Sequence, residues 1–356
     1  MAHALSLGQR GLGRTWPSPA VGCVILKAGR IVGRGWTQPG GRTHAEVMAL
    51  QQAGQRARGA TAYVTLEPCA HHGKTGPCAD ALIAAGVARV VTAITDPDPR
   101  VSGSGHAILR AAGVDVTENV LADQARSANA GFLKRITRGL PIVTLKLGTT
   151  VDGRIATSSG QSRWITSPQS RRAVHALRLN HDAVLIGAGT ARADDPDLTV
   201  RDIGASHQPI RIVMDARLSH APQSRLGQTA RTSAVWLCHT SQALQPARDA
   251  WADTGATLIE CADDGTQINL ADALQRLAAL GLTRIFCEGG ATLAAALIRD
   301  HLVDELITFT AGKLIGAGGH PAIAALPDAP LKDLPTLMLS ETRQIGPDTM
   351  THWRVL

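Results

Sequence analysis

The sequence predicts two successive α/β domains, a reading that rests on three observations. The chain has 356 residues, enough for two domains of ordinary size. Strand-like and helix-like runs alternate through residues 1–122, and after Gly139-Leu140-Pro141 the alternation starts again. A His-x-Glu and two Pro-Cys pairs fall at the ends of those runs, where α/β domains build their sites. Residues 1–140 are expected to form a three-layer α/β/α sandwich, and residues 141–356 a second α/β unit.

The elements follow in order. Strands at 21–26 and 31–35 make a hairpin turning at Lys27-Ala28-Gly29-Arg30. Helix 44–53, strand 60–66, helix 78–85, strand 87–94, helix 103–112 and strand 114–120 come next. Residues 123–138 read as one basic amphipathic helix. In the second unit, strands are expected at 142–147, 182–187, 210–215, 233–238, 256–261, 284–288 and 304–311, with helices near 168–179, 268–280 and 290–301. Residues 335–356 alternate apolar and polar positions around Gly346-Pro347-Asp348 and read as a closing hairpin. No repeat or low-complexity tract is visible, and residues 216–280 carry little functional signal.

Composition narrows the class. A hydrophobic fraction of 44% with 18% charged residues fits a globular protein. No apolar run reaches the length of a membrane span, and the first residues lack the apolar core of a secretory signal, so the cytoplasm is the expected location. Six cysteines are too sparse for a disulfide framework, and Cys23, Cys238, Cys261 and Cys287 lie in apolar stretches as expected core residues. The net charge of +7 invites a nucleic-acid reading. Single-strand binding wants stacking platforms, however, and one Tyr, three Phe and six Trp, with scattered basic residues, argue against it.

His44-Ala45-Glu46, Pro68-Cys69 and Pro77-Cys78 carry the chemistry. Zinc in a hydrolytic site takes three protein ligands and keeps a fourth position for water. His44, Cys69 and Cys78 would be the ligands, with Glu46 beside the water to move its proton. Zinc deaminases of bases divide the work in this way. His44 and Cys78 are expected near helix N-termini, where the partial positive charge favours a thiolate. The bland alternative is two core cysteines and a surface histidine. Eight residues separate the cysteines here, where the commoner deaminase signature has two.

The segment from Thr65 through Cys78, with Pro17-Ser18-Pro19-Ala20-Val21-Gly22 and Thr43-His44-Ala45-Glu46, resembles the deaminase half of the bifunctional riboflavin-biosynthesis deaminase/reductases. The resemblance implies a cytidine-deaminase-like first domain, in which Lys74 reaches the substrate phosphate or ribose. Ser18 stands where the family usually has an Asn expected to touch the pyrimidine. The chain also begins inside what the resemblance gives as the family's first helix.

In the second half, the strand-to-glycine turns at Asp182–Thr190 and Ile285–Leu293 offer backbone N–H groups to a phosphate but do not form the G-x-G-x-x-G fingerprint. With Leu145–Arg154 and Ser162–Thr166 they resemble the family's reductase domain, which implies a dihydrofolate-reductase-like fold and NADPH. By that resemblance Gly148, Trp164, Thr190, Asp194 and the loop Gly290, Ala291, Thr292, Leu293, Ala294, Ala295 and Ala296 line the cofactor. Ser162, Arg178, Leu198, Arg201 and Glu288 line the ribosyl phosphate substrate, with Lys146 and Thr166 close by. Arg178 and Arg201 could clamp its phosphate by bidentate bonds.

The resemblance thus implies two consecutive steps. The first hydrolyses an amino group from 2,5-diamino-6-(5-phosphoribosylamino)pyrimidin-4(3H)-one, and the second reduces the ribosyl group of the product to ribityl. Lys146 and Asp194 are the candidates for a proton donor in the second step. The rivals are a nucleoside or tRNA deaminase fused to an unrelated reductase, and a catalytically dead zinc-stabilised nucleotide-binding protein in which His71 or His72 supplies a fourth ligand. A homo-oligomer stays open.

Overall fold

A computed structural model describes residues 1–70, 76–99, 101–205 and 207–355. The chain divides into two compact units, Met1–Leu140 and Pro141–Leu356. The first holds a five-stranded sheet of β1 (Gly22–Lys27), β2 (Arg30–Trp36), β3 (Thr61–Val64), β4 (Arg89–Thr92) and β5 (Asp115–Thr117). Its spatial order is β2-β1-β3-β4-β5, antiparallel on both sides of β1 and parallel from β3 onward.

Alternation along β1 makes the layers. Cys23 and Ile25 join Ala45, Ala49, Ala79 and Leu82 in one buried cluster, while Val24 packs with Ala4 and Leu7 of the helix Ala2–Gly8. The helix Ala45–Ala53 lies very close to β2. A Cβ added at Gly35 would fall 2.1 Å from the carbonyl oxygen of Ala45, and one at Gly33 would fall 2.2 Å from that of Ala49. Glycine at these two strand positions is what lets the helix bring its first turn, and so His44 and Glu46, down onto the sheet.

One expectation is corrected here. Residues 123–138 are two helices, Ala122–Ala128 and Ala130–Arg138, broken at Asn129. Asn129 is buried and its Oδ1 accepts the N–H of Ala20 at 3.1 Å. A tertiary hydrogen bond that tethers the Pro17–Ala20 segment thus interrupts a stretch whose periodicity alone favours continuity.

The second unit is built on nine strands. β6 (Ile142–Thr150), β8 (Ala183–Gly187), β9 (Ile210–Met214), β10 (Val235–His239), β11 (Thr257–Glu260), β12 (Arg284–Gly289), β13 (Glu305–Ala311), β15 (Leu337–Ile345) and β16 (Asp348–Val355) run in the order β11-β10-β9-β8-β12-β6-β13-β16-β15. The sheet is parallel from β11 to β13, and the terminal hairpin β15–β16 adds antiparallel strands at one edge. A small pair, β7 (Arg154–Ala156) with β14 (His320–Pro321), and the helices Ala188–Asp194 and Gln245–Asp253 were not legible in the sequence. Ala188–Asp194 starts directly at the glycines read as the end of a strand.

Candidate functional site

Each element delivers one part of the first site. His44 is the residue before the helix Ala45–Ala53, with extended backbone, and Glu46 sits in that helix's first turn. Cys69 lies beyond β3, and Cys78 opens the helix Cys78–Ala84 after Pro77. The N–H of Cys78 donates to the sulfur of Cys69 at 3.3 Å, and the N–H of Ala79 donates to the Cys69 carbonyl at the same distance. The helix start therefore grips the earlier cysteine.

The ligand atoms of His44, Cys69 and Cys78 lie within 4.8 Å of one another. His44 Nδ1 is 3.2 Å from Cys78 Sγ and 3.6 Å from Cys69 Sγ. Tetrahedral zinc with bonds of about 2.0 Å to nitrogen and 2.3 Å to sulfur would hold such pairs about 3.5 Å apart. The residues present fit the metal. The Cys78 thiol, hydrogen-bonded to Cys69, and the neighbouring His44 pull the Cys69 thiol down to about 4. Cys78 itself is held up as the proton-bearing partner. Both contacts favour the thiolate at Cys69, the form that binds a metal.

Glu46 is 4% exposed. Burial pushes its carboxyl up to about 7, with His44 pulling the other way. Such a group can exchange a proton near neutral pH. It faces a cavity of about 310 Å³ shared with Ser18, Arg42, Glu67, Asp96, Asp98 and Arg135. Of these, only Ser18 was singled out in the sequence. The Asp96-Pro97-Asp98-Pro99 run just past a strand end was the available signal for the two aspartates. Lys74, His71 and His72 lie outside the described residues.

Ser18 lines the cavity, so its size bears on substrate contact. Ser18→Asn is expected to keep deaminase efficiency or improve it by about 1 kcal/mol for one added hydrogen bond. Steady-state kinetics of ammonia release check this. A marked loss would mean that the pocket is rebuilt around serine.

In the second unit, β12 and β6 pair with Cys287 level with Leu145, which sets Glu288, near the end of β12, beside Lys146 in the middle of β6. Lys146 also adjoins Gly148 and Thr166: a Cβ at Gly148 would lie 3.0 Å from Lys146 Nζ and 3.7 Å from Thr166 Cγ2. Burial lowers the Lys146 ammonium, opposed by Glu288.

The two arginines of the expected phosphate clamp differ in how far they are already engaged. Arg178 is buried with Nε and one NH2 on the two oxygens of Glu288, the latter at 2.9 Å, and NH1 on the Thr199 carbonyl at 2.7 Å. Three of its five N–H groups are thus engaged, two of them in orienting Glu288. Arg201 is exposed and touches Thr199 Oγ1 at 3.0 Å and Asp197 at 3.4 Å, so it remains able to meet an anion. Leu198 buries its side chain in the core, which leaves only its backbone to face a ligand. Ser162 is half-buried.

Gly290 precedes the helix Ala291–Arg299 with φ +88°, and a Cβ there would meet Thr190 Oγ1 at 2.7 Å. Around Gly289 and Gly189 there is open space where side chains would otherwise stand. Ala291, Thr292 and Leu293 form the first turn of this helix, where N–H groups without a partner inside the helix suit a dinucleotide's phosphates. Ala294 already donates to Gly290, and Ala294 and Ala295 are buried, so neither offers an open N–H; Ala296 lies a further residue into the helix. Trp164 is 61% exposed with Arg171 4.3 Å over its ring, and Asp194 accepts from Arg163 at 2.9 Å through its carbonyl. Trp164 is a surface residue, not a core one.

The two folds and their sites define a class: a zinc-dependent deaminase of the cytidine-deaminase type joined to a dihydrofolate-reductase-like reductase. Two family profiles match accordingly, the cytidine and deoxycytidylate deaminase zinc-binding region over residues 1–94 and the RibD C-terminal domain over residues 141–351. The chain belongs to the RibD family, the bifunctional deaminase/reductases of riboflavin biosynthesis.

The riboflavin biosynthesis protein RibD of Escherichia coli (strain K12) is 45% identical over 365 residues, covering 99% of this chain and 97% of that protein. That of Haemophilus influenzae is 41% identical, covering 98% and 94%. Among solved structures, Acinetobacter baumannii RibD matches with a TM-score of 0.89 at 36% identity, covering 100% of this chain and 97% of that one. A diaminohydroxyphosphoribosylaminopyrimidine deaminase/5-amino-6-(5-phosphoribosylamino)uracil reductase from Thermotoga maritima matches with 0.87 at 31% identity and the same coverage. The protein is a hydrolase and an oxidoreductase, with zinc and NADPH as cofactors. Because both halves match one family in one chain, a deaminase fused to an unrelated reductase drops out.

Proposed function

We propose that residues 1–140 deaminate 2,5-diamino-6-(5-phosphoribosylamino)pyrimidin-4(3H)-one and that residues 141–356 reduce the ribosyl side chain of the product. The observation that carries the first assignment is the closeness of His44, Cys69 and Cys78, with a buried Glu46 sharing one cavity with His44 and Cys69. When bound, zinc supplies a water acidic enough to ionise near neutral pH, and NADPH supplies a hydride. Glu46 takes a proton from water and gives it to the ring nitrogen, then carries the second proton from the newly added hydroxyl to the departing amine. Lys74 is assigned to the substrate's phosphate or ribose.

In the reductase, Gly290 and the first turn of the following helix hold the cofactor phosphates, with Gly148, Trp164, Thr190 and Asp194 around them. Glu288, fixed by Arg178, and Lys146 face the sugar, with Ser162 and Thr166 nearby and Arg201 on its phosphate. Lys146, half-buried and with its ammonium made more acidic by burial, is the favoured proton donor. No helix among the described residues is long and apolar enough to cross a membrane. We place the enzyme in the cytoplasm, acting on small molecules and not on nucleic acid, and leave homo-oligomerisation to a light-scattering measurement.

The metal assignment has a direct test. Protein purified without chelator should carry about one zinc per chain, and Cys69→Ala/Cys78→Ala should lose it. Elemental analysis decides; zinc kept at full occupancy in the double variant rules these ligands out.

A further inference from the structure

Glu67 lies three residues beyond β3 and two before Cys69. Its side chain is fully buried. Four backbone N–H groups converge on its carboxylate. Oε2 accepts from Asp96 at 3.2 Å and Gly103 at 2.9 Å; Oε1 accepts from Gly105 at 2.9 Å and His106 at 3.3 Å. The His106 ring sits farther off, its Nδ1 4.0 Å from Glu67 but 3.2 Å from Glu118. Charge-assisted bonds in this number offset the cost of burying a carboxylate.

All four donors belong to one segment, the loop after β4 and the first turn of the helix Ser104–Ala111. Asp96, Asp98 and Val101 of that loop line the cavity that holds Glu46. The junction is also tight sterically: a Cβ added at Gly105 would lie 2.0 Å from the Pro68 carbonyl oxygen and 3.2 Å from Glu67 Oε1. One buried carboxylate therefore ties a cavity wall to the short segment that ends in Cys69.

We infer that Glu67 is a positioning residue for the pyrimidine substrate, a proposal that rests on reading His44, Glu46, Cys69 and Cys78 as the deamination centre. Glu67 sets the wall formed by Asp96, Asp98 and Val101 at the distance where the ring fits beside Glu46. It touches no reacting atom. Its loss removes binding that is equal in ground and transition states, which raises KM and leaves kcat standing.

The test uses the full chain with zinc bound. Glu67→Gln leaves one acceptor oxygen and turns an NH2 group toward N–H groups that need acceptors. Gly105→Ala forces the same junction apart while keeping every charge. Both should raise KM for the diaminopyrimidine at least about tenfold, the scale of losing charge-assisted hydrogen bonds. In both, kcat should stay within about threefold of wild type, as uniform binding loss requires. Zinc content should hold, and reduction of the already deaminated substrate should not change. If Glu67→Gln does not fold, Gly105→Ala carries the measurement. An unchanged KM in the folded variants, or a fall of kcat together with zinc, overturns the proposal, the latter because Glu67 would then be serving Cys69. Wild-type protein that releases no ammonia would instead strike at the deamination reading itself.

Discussion

Glu46→Gln should cut deamination by at least about 10²-fold, the scale of a lost general acid–base. The substitution keeps the side chain's size and one hydrogen-bond acceptor but cannot take a proton from water. Because Glu46 is 4% exposed in a cavity, solvent has poor access to replace it. Glutamine is neutral, and the natural carboxyl is already pushed by burial to about 7, so the fold should accept the exchange with little loss of stability. Zinc content, read by elemental analysis, should stay near wild type, since none of the three candidate ligand atoms is altered. Reduction of 5-amino-6-(5-phosphoribosylamino)uracil should also survive, since that chemistry is assigned to residues 141–356. Ammonia release is the deciding measurement. A rate near wild type would remove Glu46 from the mechanism and leave the proton transfers to another group lining the cavity.

Gly290→Val should raise the apparent KM for NADPH by on the order of tenfold or more, equal to about 1.4 kcal/mol of lost binding per decade. Two causes act together. Valine's Cβ would press on Thr190 Oγ1 at 2.7 Å, and a β-branched residue at φ +88° is strained by about 1–3 kcal/mol. The turn relaxes and carries the open N–H groups of the following helix away from the phosphates. Deamination should be untouched. Arg201→Ala makes the contrast, weakening the phosphorylated sugar substrate while the KM for NADPH holds, because Arg201 is exposed and lies on a different loop. Equal effects of both variants on both constants would mean that the two loops are not separate sites. Thermal melting separates binding from folding: a Gly290→Val protein with native melting and native NADPH affinity would sink the assignment of this turn.

Much of the chemistry was legible because it is written locally. His44 and Glu46 are two residues apart, each cysteine follows a proline, and strand and helix periodicities set these at element ends without knowledge of the rest of the chain. Glycine pairs after a buried strand likewise announced the Gly290 turn.

What the sequence could not give depends on partners far away in the chain. Arg178 and Glu288 are separated by 110 positions, and they meet because β12 lies between β8 and β6 with one particular register. In isolation Arg178 reads as an anion binder; in the fold three of its five N–H groups already serve Glu288 and Thr199. Asn129 breaks a helix because Ala20 supplies its N–H, and Leu198 turns into the core because the sheet behind it is apolar. Glu67, just past the strand expected at 60–66, gains its role only when four N–H groups from residues 96–106 fold onto it. Short-range spacing determined which residue types could do the chemistry. Strand register and burial, which set each side chain's partners only when the sheet closes, decided which of them are open to a ligand and which are spent on holding the others in place.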